Sequence, residues 1–188
     1  WPPCSAATSC PCVNTGASQA WNWLVPPRPA GQPIHPPTTE STARMTSGTV
    51  IVEWFNVSGG ADASPDWQHM HVELIRNGYA WVGVSAQAVG LNQLKCGAPG
   101  PGCPAGGDAA RYGSLVHPGD SYSYDIFSQA GQAIREHAAL ILDGLAPERL
   151  IAAGESQSAG RLTTYIDAAH PLVEVYDAFV VHSRSAGG

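Results

Sequence analysis

The amino-acid sequence predicts an α/β domain, a mostly parallel sheet with helices on both faces, and three stretches carry that expectation. Gly48-Thr-Val-Ile-Val-Glu-Trp-Phe-Asn-Val57 is a continuous β-branched and aromatic run, as expected of a strand buried on both faces. A second run, Tyr79-Ala-Trp-Val-Gly-Val-Ser85, follows after a helical pattern with short joints, which is the grammar of a parallel strand, helix, strand unit. Third, Leu150-Ile-Ala-Ala-Gly-Glu-Ser-Gln-Ser-Ala-Gly-Arg-Leu162 reads as a short strand, a sharp turn and a helix, with Ser156 at the apex.

Taken in order, residues 1–47 form a Pro-, Ser- and Thr-rich arm whose Pro-Pro pairs exclude helix and central strand. The arm is either irregular and stapled to the domain through Trp21 and Trp23, or a disordered tail. Residues 48–188 form the domain. After the first strand, Ser58-Gly59-Gly60 turns the chain. Ser64-Pro65-Asp66 then starts a helix carrying Trp67, Met70, Val72, Leu74 and Ile75, which stops at Asn77-Gly78. Residues 86 to about 120 read as a long connection, dense in Gly and Pro between Gly97 and Gly107; such length inside an α/β domain points to a site-shaping loop or an insertion. A helix is expected from about Asp125 to Gly144 on the stripe Ile126, Phe127, Ala130, Ala133, Ile134, Ala138, Ile141 and Leu142. The last apolar run, Ala178-Phe-Val-Val-His182, is a fourth strand. Strands are therefore expected near 49–57, 79–85, 150–154 and 178–183, alternating with three helices.

The turn at Ser156 carries the chemistry. Held in a strained backbone conformation, its hydroxyl is lifted clear of the sheet, so near neighbours must be small, as Gly154 and Ser158 are. A hydroxyl held there can attack a carbonyl, and the N–H of Gln157, at the start of the helix, points at the same carbonyl oxygen. A second oxyanion donor is expected from the backbone of Val57 or Ser58, on the loop after the first strand. Asn56, His117, Asp120 and His182 are candidate lining residues of the same sheet edge. His117 and His182 are weighed as the base against a plain turn and a strand-end residue. Asp120 and Glu155 read as a turn or helix-start acceptor and a packing residue rather than as the acid that orients a base.

Several of these stretches, with Arg111-Tyr-Gly-Ser-Leu115, His117-Pro-Gly-Asp-Ser-Tyr-Ser-Tyr-Asp-Ile-Phe-Ser-Gln129 and Gly154-Glu-Ser-Gln-Ser158, resemble a bacterial group of α/β-hydrolase-domain proteins over about residues 48–188. The resemblance implies the α/β-hydrolase fold and an esterase-like nucleophile at Ser156 and supplies no substrate; a small-molecule ester as substrate and no cofactor are expected from the chemistry of such a nucleophile. In that fold the triad runs Ser, acid, His, with the last two on late strands. On this resemblance both lie past Gly188, and the chain reads as the N-terminal part of a larger domain, inert by itself if they are lacking.

Composition bounds the remaining classes. The 188 residues suffice for one domain with a proper core, and only 13% are charged. Net charge of -6 gives no basic footprint, so nucleic acid is not an expected partner. No apolar run approaches a membrane span. Of five cysteines, Cys4, Cys10 and Cys12 lack metal-ligand spacing and no metal is expected; Cys96 and Cys103 either close a small disulfide or stay as thiols. Cysteine usage leans towards export without deciding the compartment.

Overall fold

The structure, a computed structural model, describes residues 47–103, 106–142 and 145–184. The expected arm therefore lies outside the described residues but for Ser47, as do Cys4, Cys10 and Cys12. One sheet of four strands, all parallel, holds the order β2-β1-β3-β4. Its strands are β1 (Thr49–Trp54), β2 (Ala80–Val84), β3 (Arg149–Glu155) and β4 (Ala178–His182). All four fall where the apolar runs place them. β1 leaves the sheet three residues before Val57, because Asn56 turns back to pair with Ala63 in an isolated antiparallel bridge.

The central position of β1 explains its sequence: every residue of it is buried. Side chains alternate between two apolar layers. Val50, Val52 and Trp54 face the larger one, with Phe127 and Ile134 of α4 (Ser123–Glu136), Leu162 of α6 (Gln157–Thr164), and Tyr165 and Tyr176. Ile51 faces the other way, with Leu74, Trp67 and Met70 of α1 (Pro65–Arg76). Helices thus cover both faces. Each large side chain fully buried here contributes about 2 kcal/mol of transfer free energy, and the aromatic cluster of Trp54, Phe127 and Tyr176, with ring centroids 4.8 Å apart in each adjacent pair, packs the middle of that layer.

Three expectations are corrected. The connection after β2 is not featureless: α2 (Ala88–Lys95) and the short α3 (Ala109–Tyr112) fold within it, followed by a 3-10 turn at Asp120–Tyr122. The helix expected to reach Gly144 ends at Glu136, and α5 (Ala138–Ile141) starts anew after His137. The carbonyl of His137 accepts the N–H groups of Leu140 and Ile141, and the break turns Ile141 and Leu142 onto the core while Leu140 faces solvent. The cap of α1 is also supplied differently, since Ser64 makes no side-chain cap. Glu53, inside β1, reaches across to accept the N–H groups of Asp66 and Trp67 at 2.9 and 3.0 Å.

After α6 the helix widens into one π turn (Tyr165–Ala169) and then α7 (His170–Val173). Cys96 and Cys103 form a disulfide with Cα atoms 5.8 Å apart, within the reach such a bond requires, and close the exposed loop beyond α2. Among the described residues no helix is long and apolar enough to cross a membrane, and no cluster of His, Cys, Asp and Glu could hold a metal ion.

Candidate active site

The C-terminal ends of β1, β2 and β3 meet at one edge of the sheet, where side chains and loop amides of open α/β sheets are collected. Ser156 stands there, between β3 and α6, exposed, with φ 55° and ψ -110°. A positive φ costs a residue with a Cβ about 1–3 kcal/mol unless its surroundings enforce it. Here they do. The Ser156 N–H donates to the carbonyl of His182 at 3.1 Å, fixing the turn to the end of β4, where Glu155 and His182 stand in register. The buried Ser158 hydroxyl donates to the Glu155 carbonyl at 2.8 Å and accepts the Glu155 N–H at 3.0 Å, clamping the residue before the apex. Gly154 gives the close approach: a Cβ on it would lie 3.0 Å from the Ser158 carbonyl oxygen.

Gln157 is the first residue of α6, so its N–H has no intrahelical acceptor. Of the two loop amides, that of Ser58 donates to Asn56 Oδ1 at 2.9 Å, an internal turn of the loop. The Val57 N–H donates to the side-chain oxygen of Gln157 at 3.3 Å. Asn56 is buried, and its Nδ2 donates to the Glu155 carbonyl at 2.9 Å, tying the β1 loop to the turn. The structure thus brings Ser156, Gln157, Val57, Ser58 and Asn56 into one neighbourhood.

The other candidates take different places. His117 spends both ring nitrogens on backbone: Nδ1 accepts the Gly119 N–H at 3.0 Å, which leaves Nε2 to donate to the Ala86 carbonyl at 3.0 Å. Asp120 accepts the Ala88 N–H at 2.8 Å, capping α2, and lies 3.8 Å from the Arg161 guanidinium. The His182 ring pairs with the Asp66 carboxylate at 2.5 Å and meets the Ser183 hydroxyl at 3.2 Å. Among the described residues none hydrogen-bonds the Ser156 hydroxyl.

Beneath this edge lies a polar layer that the local sequence pattern does not reveal. Burial, and then the nearby charge of Asp66, raise the Glu53 carboxyl to about 7, against the N–H groups it accepts from Asp66, Trp67 and Trp81. Burial raises Asp62 to about 6 beside the Ser85 hydroxyl, with neither carboxylate oxygen hydrogen-bonded among the described residues. Gln87 was likewise missed; its oxygen accepts from the Trp54 indole and the Gln157 amide. An acidic residue inside an otherwise apolar strand, as Glu53 is, was the available signal, since a buried charge requires partners.

Residues 38–188 match the family model described as "Alpha/beta hydrolase domain". The chain belongs to that family. Searches of curated proteins and of solved structures found no match. As a hydrolase domain it has the parallel sheet of its family with the strand, turn and helix at β3, Ser156 and α6, and its match begins ten residues upstream of Gly48.

Proposed function

We propose that this hydrolase domain cleaves carboxylic esters through an acyl-enzyme on Ser156. The observation that carries the reading is the enforced positive φ of Ser156 at the junction of β3 and α6, beside the first N–H of that helix. In the reaction, Ser156 Oγ attacks the ester carbonyl carbon and the carbonyl oxygen gathers negative charge. The N–H of Gln157 receives that charge, joined by the N–H of Val57. Collapse of the tetrahedral adduct breaks the bond to the alcohol, which leaves with the proton that Ser156 gave up; water then attacks the acyl-enzyme, and Ser156 regains a proton as the acid departs. A Ser hydroxyl needs a base for useful rates near neutral pH. His117 and His182 are given no such role, because their ring nitrogens are engaged elsewhere.

The Ser156 hydroxyl, which no described residue hydrogen-bonds, also suits a second reading, a binding module of the hydrolase fold without turnover. Release of p-nitrophenol from a series of short acyl esters separates the two. Ester hydrolysis is expected to run at least about tenfold above Ser156→Ala, as removal of a nucleophile erases all but the rate due to binding and the oxyanion donors. Equal release by both proteins would favour the binding module.

A further inference from the structure

The Gln157 side chain lies on one of the two amides that the proposed reaction uses. Its Oε1 accepts the Val57 N–H at 3.3 Å, and its Nε2 donates to Gln87 Oε1 at 3.0 Å. The orientation is dictated from the core. The buried Trp54 indole N–H can only donate, and it reaches Gln87 at 3.2 Å, so the Gln87 atom there must be its oxygen. That oxygen accepts from Trp54 and so requires Gln157 to present its NH2 group, which turns the Gln157 oxygen to Val57. Reversing the Gln157 amide would set two oxygens against each other at Gln87 and two N–H groups against each other at Val57.

The Ser58 amide is held differently. Its acceptor, Asn56 Oδ1, belongs to the same loop, and Asn56 is buried and bonded to Glu155. Only at Val57 is the acceptor the end of a half-buried, rotatable side chain from another element. An amide oxygen on that N–H copies the position and polarity of a substrate carbonyl oxygen there.

We infer that the Gln157 side chain is a gate on the oxyanion site. At rest its Oε1 occupies the Val57 N–H; an incoming carbonyl displaces it, the side chain rotates off, and the backbone N–H of the same residue stays in place to share the developing charge. The gate rests on the proposed role of Ser156. An ester carbonyl is a weaker acceptor than a carboxamide, so the displacement is driven home as negative charge gathers on that oxygen, and the gate yields to the transition state more readily than to the bound ester.

The test is the second-order rate of labelling by an alkyl fluorophosphonate. Ser156 Oγ bonds to phosphorus, the P–F bond breaks, fluoride leaves, the hydroxyl proton goes to solvent base, and the phosphoryl oxygen takes the place of the oxyanion. Gln157→Met keeps the length of the side chain but replaces the amide oxygen with a thioether, a far weaker acceptor, and Gln157→Ala removes both length and acceptor; each retains the backbone N–H. Both variants should label roughly 3- to 10-fold faster than the unaltered protein, the worth of one net hydrogen bond no longer displaced. In both, the Val57 amide should also exchange its hydrogen faster in NMR measurements. Acceleration in Gln157→Ala alone would make the effect one of bulk and overturn the gate. Equal or slower labelling of both variants, with the unaltered protein labelled at Ser156, would overturn the gate and leave the nucleophile standing. Absence of Ser156 labelling in all three folded proteins would overturn the nucleophile and the gate with it.

Discussion

The His182 ring donates from Nε2 to the buried carboxylate of Asp66 at 2.5 Å and so joins the end of β4 to the first turn of α1. Asp66 is almost wholly buried, its second oxygen has no partner among the described residues, and Glu53 lies beside it. His182→Ala would leave that carboxylate without the one side-chain partner it has among the described residues. Because the His182 side chain is partly exposed, the expected loss is discounted from that of a fully buried pair to about 1–3 kcal/mol. Urea unfolding at pH 6 measures it. A change below about 0.5 kcal/mol would mean that water serves Asp66 equally well.

Stability should fall as pH rises from about 4.5 to about 7. Glu53 has its carboxyl at about 7 in the folded chain against a value of 4.5 when unperturbed, chiefly through burial and then through Asp66. The folded state therefore holds a proton that the unfolded chain has lost across that window, and the stabilisation, complete below the unfolded value, is lost as pH passes the folded one. From Glu53 alone the drop is about 3 kcal/mol at most, and Asp62, raised to about 6, acts in the same direction. Asp177 works in the opposite sense: although burial pushes its carboxyl up, the Leu150 N–H and the Arg135 guanidinium hold it below the usual range, so its stabilisation is lost only at lower pH. Unfolding free energies taken at intervals from pH 4.5 to 8 check the sign. Glu53→Gln should flatten the slope while costing about 1–3 kcal/mol for the α1 or Trp81 N–H left facing an amide. A stability that rises over the window would contradict the assignment.

The turn at Ser156 should tolerate little change at its flanks. A Cβ on Gly154 would meet backbone atoms of Ser158 at 3.0 and 3.1 Å, which no side-chain rotation relieves. Gly154→Ala should cost about 1–3 kcal/mol and displace Ser156 relative to the Gln157 and Val57 amides. Ser158→Ala, which keeps the size and removes both hydrogen bonds to Glu155, should cost about 1–2 kcal/mol. Thermal unfolding followed by circular dichroism compares the two; a neutral Gly154→Ala would show that the turn adapts.

The strands were legible because β1 and β3 are continuous apolar runs that only a doubly covered sheet buries, and the turn because the small residues Gly154 and Ser158 flank Ser156 between a strand and a helix. Less local features were not. α2 packs with Gly90 against the Asp62 carboxylate, where a Cβ would come within 1.9 Å, a contact between residues 28 apart in sequence that propensity does not register. The end of α4 at His137 follows from where Ile141 and Leu142 find the core, again a tertiary choice. At the site, the sequence points only to the backbone N–H of residue 157. Its side chain acquires a role only once β1 and α2 bring Val57 and Gln87 beside it.

Mass-spectrometric mapping of the fluorophosphonate adduct on the folded chain tests the role of Ser156 most directly. After trypsin, the peptide of residues 150–161 contains Ser156 and Ser158, and fragmentation tells the two apart. The expected result is one adduct, on Ser156, absent from Ser156→Ala. An adduct on Ser158 or Ser183 instead, or none on a chain shown to be folded, would contradict it.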